Sequence, residues 1–148
     1  MTTVHTLARP ALIGLATGGR STYGLTALAL TAGRRDPSWM SSTATRALLG
    51  LAAAGETVAD KLPATPSRLE TGPLAGRLAL GAAAGAIVVR REQGPVAVGA
   101  IVGGLGALAG SWLGAHWRGW AAPRLSRDLP GALAEDVTAA GLAAMAVA

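Results

Sequence analysis

Apolar residues in this chain come in five long blocks separated by short polar links, without the alternation of an amphipathic element. The first block runs from Pro10 to Ala32 and is interrupted by Gly18-Gly19-Arg20-Ser21-Thr22. The second spans Thr43 to Lys61 and stops ahead of Pro63. The third opens at Pro73, a favourable first-turn residue, and ends at Arg90-Arg91. Gly94-Pro95 turns the chain into a fourth block, Pro95 to Trp117, and a fifth runs from Pro130 to Ala148. A hydrocarbon layer of ~30 Å takes roughly 20 helical residues. The first and fourth blocks meet that length, and the other three lie near its short limit. The pattern predicts an all-α, polytopic transmembrane helix bundle of about five helices, forming one integral membrane domain over residues 1–148.

Composition agrees with this class. The chain of 148 residues is 51% hydrophobic and only 14% charged, with a mean hydropathy of +0.41. A soluble domain averages about 25% charged residues. The net charge of +5 comes from arginines and a lysine in the links rather than from one basic face, which points to anionic lipid contact and away from nucleic acid. Arg9 ahead of an apolar run and the small residues near Ala32 resemble a cleavable leader. The polar break at Gly18 to Thr22 splits its apolar core, so the segment is expected to stay as a helix.

The chain also matches itself at a shift of 57 positions. Gly19-Arg20 then falls on Gly76-Arg77, Arg34 on Arg91, Leu51-Ala52 on Leu108-Ala109, Lys61 on Arg118, and Pro66 on Pro123. Alanine and glycine matches mean little in so biased a composition. The Gly-Arg pair, the loop cations and the prolines carry the reading: a duplicated two-helix unit, about 10–66 and 67–123, followed by a final helix at 130–148.

Charges inside the apolar blocks are the candidate chemistry. A charge in hydrocarbon costs roughly 2.5–3.5 kcal/mol on insertion scales, so it is expected to pair or to line a wet cavity. Arg20 lies deep if the first helix is continuous, and Gly18-Gly19 beside it invites unwinding. Glu56 and Asp60 are spaced i, i+4 and share a helical face. Arg77 lies close to the start of its helix, where snorkelling to the surface is an adequate account. Glu135 and Asp136 follow Pro130, where a helix dipole favours negative charge. The alternative pairs Glu135 or Asp136 with Arg20 or Arg77. Arg20, Glu56, Asp60, Arg77, Glu135 and Asp136 together would form an intramembrane polar site with net negative charge, suited to a cation or protons.

His116 ends the fourth block among Trp112, Trp117 and Trp120, an interfacial aromatic grouping, and is the one candidate for a response near neutral pH. Gly99/Gly103, Gly106/Gly110/Gly114 and Gly81/Gly85 have the spacing of closely packed helix backbones. The chain has no cysteine and two histidines, so thiolate and His-rich metal sites are excluded. No nucleotide, cofactor or hydrolase motif occurs, and no enzyme, catalytic residue or cofactor is expected.

Glu56-x-x-Ala59-Asp60-Lys61-x-Pro63, Pro73-Leu74-Ala75-Gly76 and Glu135-Asp136-Val137 resemble an uncharacterised family of small bacterial multi-pass membrane proteins, a domain of unknown function. His116 with Arg118 is similar to that family's late His-plus-basic pattern, whereas Ala64-Thr65 stands where an acidic residue is common in it. The resemblance covers Gly19 to Val137. It implies the bacterial cytoplasmic membrane and no activity.

Two functions follow as expectations. One is a transporter or channel-like oligomer that moves an ion or small solute through the charged site. The other is a structural or assembly protein whose ion pairs only fix helix packing. The expected partners are the lipid bilayer and further copies of the chain.

Overall fold

A computed structural model describes residues 2–34, 36–59, 69–121 and 129–148. The described residues are helical and turn structure with no strand: α1 (Thr2–Gly19), α2 (Tyr23–Leu30), a short 3-10 turn (Ser38–Ser41), α3 (Thr43–Ala59), α4 (Thr71–Arg91), α5 (Val96–Ala121) and α6 (Leu129–Val147). The all-α expectation holds, and the last four blocks become α3 to α6 with ends close to those expected.

The first block differs from its expectation. It is not one long helix. The helix stops at Gly19, and α2 lies back along α1, so that a Cβ on Gly24 would run into Thr17 Oγ1 and come within 3.2 Å of Ile13 Cγ1. Residues Gly18 to Thr22 are thus the tip of a helical hairpin. At the far end of α2, Arg91 donates to the Leu28 carbonyl at 2.7 Å and to Thr31 Oγ1 at 3.0 Å.

Every helix reverses the direction of the one before it. Arg46 of α3 donates to the Ala29 carbonyl, and Glu56, ten positions later, reaches the hairpin tip. Gly81 and Gly85 of α4 face Gly103 and Gly99 of α5 in antiparallel order. Gly106 and Gly110 of α5 face Ala11, Gly14 and Leu15 of α1 in parallel order. Arg9 near the start of α1 donates to the Ala146 carbonyl at 2.9 Å and to Glu92 Oε1 at 2.9 Å. Both ends of the described chain therefore lie at one end of the bundle, with Arg91 and Glu92.

Close backbone approach organises the middle. A Cβ on Gly103 would meet the Gly81 carbonyl and lie 2.9 Å from Gly85 Cα, while one on Gly14 would strike the Gly103 carbonyl. α5 is thus clasped between α1 and α4 through two glycine faces, Gly99/Gly103 on one side and Gly106/Gly110 on the other. The expected spacing signal is met at these positions. Gly114, the last of the series, lines a groove instead. Gly50 and Gly55 of α3 meet nothing within 4 Å, because α3 lies at the edge against α2.

Buried positions hold polar as well as apolar side chains. Arg20, Thr17 and Ser111 are fully buried, whereas Val98, Ile101, Leu105, Leu108 and Trp112 are exposed along one stripe of α5 at alternating spacings of three and four. A larger apolar cluster, Ile13, Leu28, Met40 and Val88 with three alanines, fills the half of the bundle near Arg91.

Two of the described helices, α4 and α5, are long and apolar enough to cross a membrane. The expected set was five. The first block is split into the hairpin arms α1 and α2, α3 has 17 residues, and Glu135 with Asp136 dilutes the hydropathy of α6.

Candidate functional site

The tip of the α1–α2 hairpin ends two helices inside the bundle. At 1.5 Å per residue, the Ser111 level of α5, which contacts the tip, is roughly 22 Å from the start of α5 and roughly 15 Å from its end. Interrupting a helix there leaves carbonyls on α1 and N–H groups on α2 that need partners. Side chains from three other helices supply them: Arg77 of α4, Ser111 of α5 and Glu56 of α3.

Arg77 of α4 caps the C-terminal end of α1. Its Nη1 donates to the Gly18 carbonyl at 2.7 Å and reaches the Gly19 carbonyl at 3.5 Å. Ser111 Oγ donates to the same Gly18 oxygen at 3.3 Å. A cation at the end of a helix also meets the negative pole of its dipole.

Glu56 of α3 caps the N-terminal end of α2. Oε1 accepts from the Ser21 N–H at 2.7 Å, and Oε2 accepts from the Thr22 N–H at 3.1 Å and from Thr22 Oγ1 at 2.9 Å. Thr22 occupies the N-cap position but its own side chain makes no capping bond. A carboxylate 34 positions away does that work. Glu56 and Arg77 approach each other at 3.4 Å, and Tyr23 Oη lies 3.1 Å from Thr57 Oγ1 beside them.

Arg20, in the tip itself, is fully buried and turns to the opposite side. Its Nε donates to Asp136 Oδ1 of α6 at 2.5 Å, and Nη2 is ion-paired with the same oxygen. Beside Asp136, Glu135 Oε2 accepts from Arg118 Nε at 3.2 Å, and Trp117 Nε1 donates to the Gly131 carbonyl at 3.3 Å.

Four of the six residues expected from the sequence therefore meet at one level: Arg20, Glu56, Arg77 and Asp136. The pairing of Arg20 with Asp136 was among the expected alternatives. Two expectations are corrected. Arg77 does not snorkel; it is 6% exposed and faces inward. Glu135 and Asp136 are not first-turn residues of α6, since the first turn of Leu129–Val147 has no acid. Glu135 is paired with Arg118 of α5. Asp60 lies outside the described residues, as do Lys61 and Pro63 of the E-x-x-A-D-K-x-P string.

Arg118 adds a third arginine, from the position where the sequence places a link. Among the described residues Arg20 is paired with Asp136, Arg77 with Glu56 and Arg118 with Glu135. Ser111 was also missed. A lone serine inside Gly110 to Gly114 is the only signal it left. His116 stays apart from this network. It is exposed, its Nδ1 lies 2.9 Å from the Trp112 carbonyl, and its ring centroid is 3.9 Å from that of Trp112. Trp117 stacks on Trp120 at 5.4 Å, so the aromatic grouping divides into two pairs.

Under the 57-position shift Arg20 corresponds to Arg77, but Arg20 sits at a chain reversal and Arg77 within a continuous helix. No group of three or more His, Asp or Glu among the described residues is placed to hold a metal ion. A groove of about 620 Å³ opens between α5 and α6, floored by Leu15 and Gly19 of α1. Glu135 and His116 line it. Arg20, Glu56, Arg77 and Asp136 do not.

The chain matches no family model, and neither the curated proteins nor the solved structures include a similar one.

Proposed function

We propose that this is a polytopic integral membrane protein in which α1–α2 is a re-entrant hairpin, and that its charge network is structural, holding the hairpin tip in register at mid-depth. Membrane residence is supported by the lengths and hydropathy of α4 and α5 and by the exposed apolar stripe on α5, with small and charged residues inside. Where surrounding lipid is as apolar as leucine, helices gain from close glycine packing and internal polar pairing rather than from burying large side chains.

The observation that carries the structural reading is the double cap at the hairpin tip. Arg77 and Glu56 satisfy the two helix ends and pair with each other, and Arg20 is closed by Asp136. In this reading the ion pairs fix helix register rather than hold an ion. The protein would then act as an assembly or scaffold component of the bilayer.

Transport is kept as a second reading, on one observation: broken helix ends at mid-depth also form the solute sites of secondary transporters. An experiment separates the two. Arg20→Asp combined with Asp136→Arg should restore thermal stability lost in either single variant. Proteoliposomes of the native protein should show no flux of protons, alkali cations or small organic anions above empty vesicles. Reproducible flux that Glu56→Gln abolishes in a folded protein would overturn the structural reading.

A further inference from the structure

We propose that the groove between α5 and α6 binds one acyl chain of a membrane phospholipid, with the headgroup at the His116 end. The inference rests on the membrane reading above, but not on whether the protein transports anything.

The groove exists because α5 and α6 both pack on α1 and touch each other little. Gly110 and Gly114 keep the α5 wall hollow, and Ala134 and Ala139 do the same for α6. Its lining is graded along the helix axes. Leu15 and Leu142 lie at the deep end, level with the hairpin arm. Leu113 and Thr138 follow. Trp117, Trp120 and His116 stand at the outer end, toward the last turn of α5. From Gly110 to Trp120 the slot extends roughly 15 Å along α5.

That gradient fits an amphiphile lying along the membrane normal. The apolar depth takes a hydrocarbon tail, and indole rings of this kind sit at the level of lipid headgroups. The Nδ1 of His116 lies 2.9 Å from the Trp112 carbonyl, which holds the ring at the outer end of the groove. Glu135 also lines the groove, and its carboxylate is held at the wall by Arg118 Nε at 3.2 Å. The volume lies within the 300–1,000 Å³ range of ligand pockets.

Two variants fill the groove from opposite walls, Gly114→Leu on α5 and Ala134→Leu on α6. The full-length protein would be extracted in mild detergent from vesicles of phosphatidylglycerol and phosphatidylcholine, and bound phospholipid read by native mass spectrometry. The native chain should retain about one phospholipid, and both variants should retain it roughly tenfold less while melting normally. Equal retention by the native protein and two folded variants overturns the proposal. A native dimer that both variants convert to monomer would overturn it in favour of a second copy. Alkaline carbonate extraction of the native protein tests membrane residence separately. Release into the soluble fraction would fail that reading, whereas a retained protein without bound lipid fails only the groove.

Discussion

The Arg20 guanidinium donates to Asp136 Oδ1 at 2.5 Å across 116 positions of sequence, joining the tip of the α1–α2 hairpin to α6. Arg20 is the largest fully buried side chain. Removing one member of a buried pair leaves the other charge without compensation, at a cost of about 3–5 kcal/mol. Arg20→Met and Asp136→Ala are each expected to lose that much stability by thermal or denaturant unfolding in detergent. Replacing both partners together should cost clearly less than the sum. Additive losses would mean that the two residues act independently.

Glycine substitutions should divide sharply by position. A Cβ at Gly103 meets backbone of α4, which cannot rotate away, so Gly103→Ala is expected to cost about 1–3 kcal/mol or more. Gly55→Ala on α3 enters open space and exchanges a poor helix former for the best, a gain of up to about 1 kcal/mol. Melting temperatures of the two variants should move in opposite directions. A similar loss at Gly55 would mean that the outer face of α3 is packed against something.

Asp36, in the link after α2, is the group from which a pH response is expected. Burial pushes its carboxyl up, but the Arg91 hydrogen bond, the Gly33 N–H and the nearby Arg91 and Arg90 charges outweigh it and hold the pKa below the ordinary value. A lowered folded-state pKa contributes stability that is present above the unfolded value, about 3.9. That contribution is lost as pH falls through the lowered one. Melting of the native protein should drop below about pH 4, and Asp36→Asn should remove part of that drop. An unchanged acid limb in the variant would place the sensitive group elsewhere.

The hairpin changes the expected topology. Five consecutive spans would put the termini on opposite sides, whereas six reversing helices bring them to one end, where Arg9 meets Ala146 and Glu92. Reporter fusions at the N- and C-termini should therefore give the same compartment. Opposite compartments would show that the first block crosses the membrane once.

Much of this protein was legible in the residues themselves. Long blocks rich in Ala, Gly and Leu, punctuated by Pro73, Pro95 and Pro130, determine where helices form, because propensity, length and proline placement are local properties. The cost of burying charge likewise pointed to Arg20 and Glu56 before any fold was known, while Asp136 had a helix-start account, and the spacing of Gly99, Gly103, Gly106 and Gly110 marked close packing. Tertiary structure alone decided what these features meet. Gly18-Gly19-Arg20 reads as a break, but whether the chain continues or reverses depends on what satisfies the exposed helix ends, and those groups come from α3, α4 and α5. Arg118 and Ser111 looked ordinary because their roles lie in distant partners. The ion pairs join helices far apart in sequence, and only their packing could determine which arginine closes onto which carboxylate.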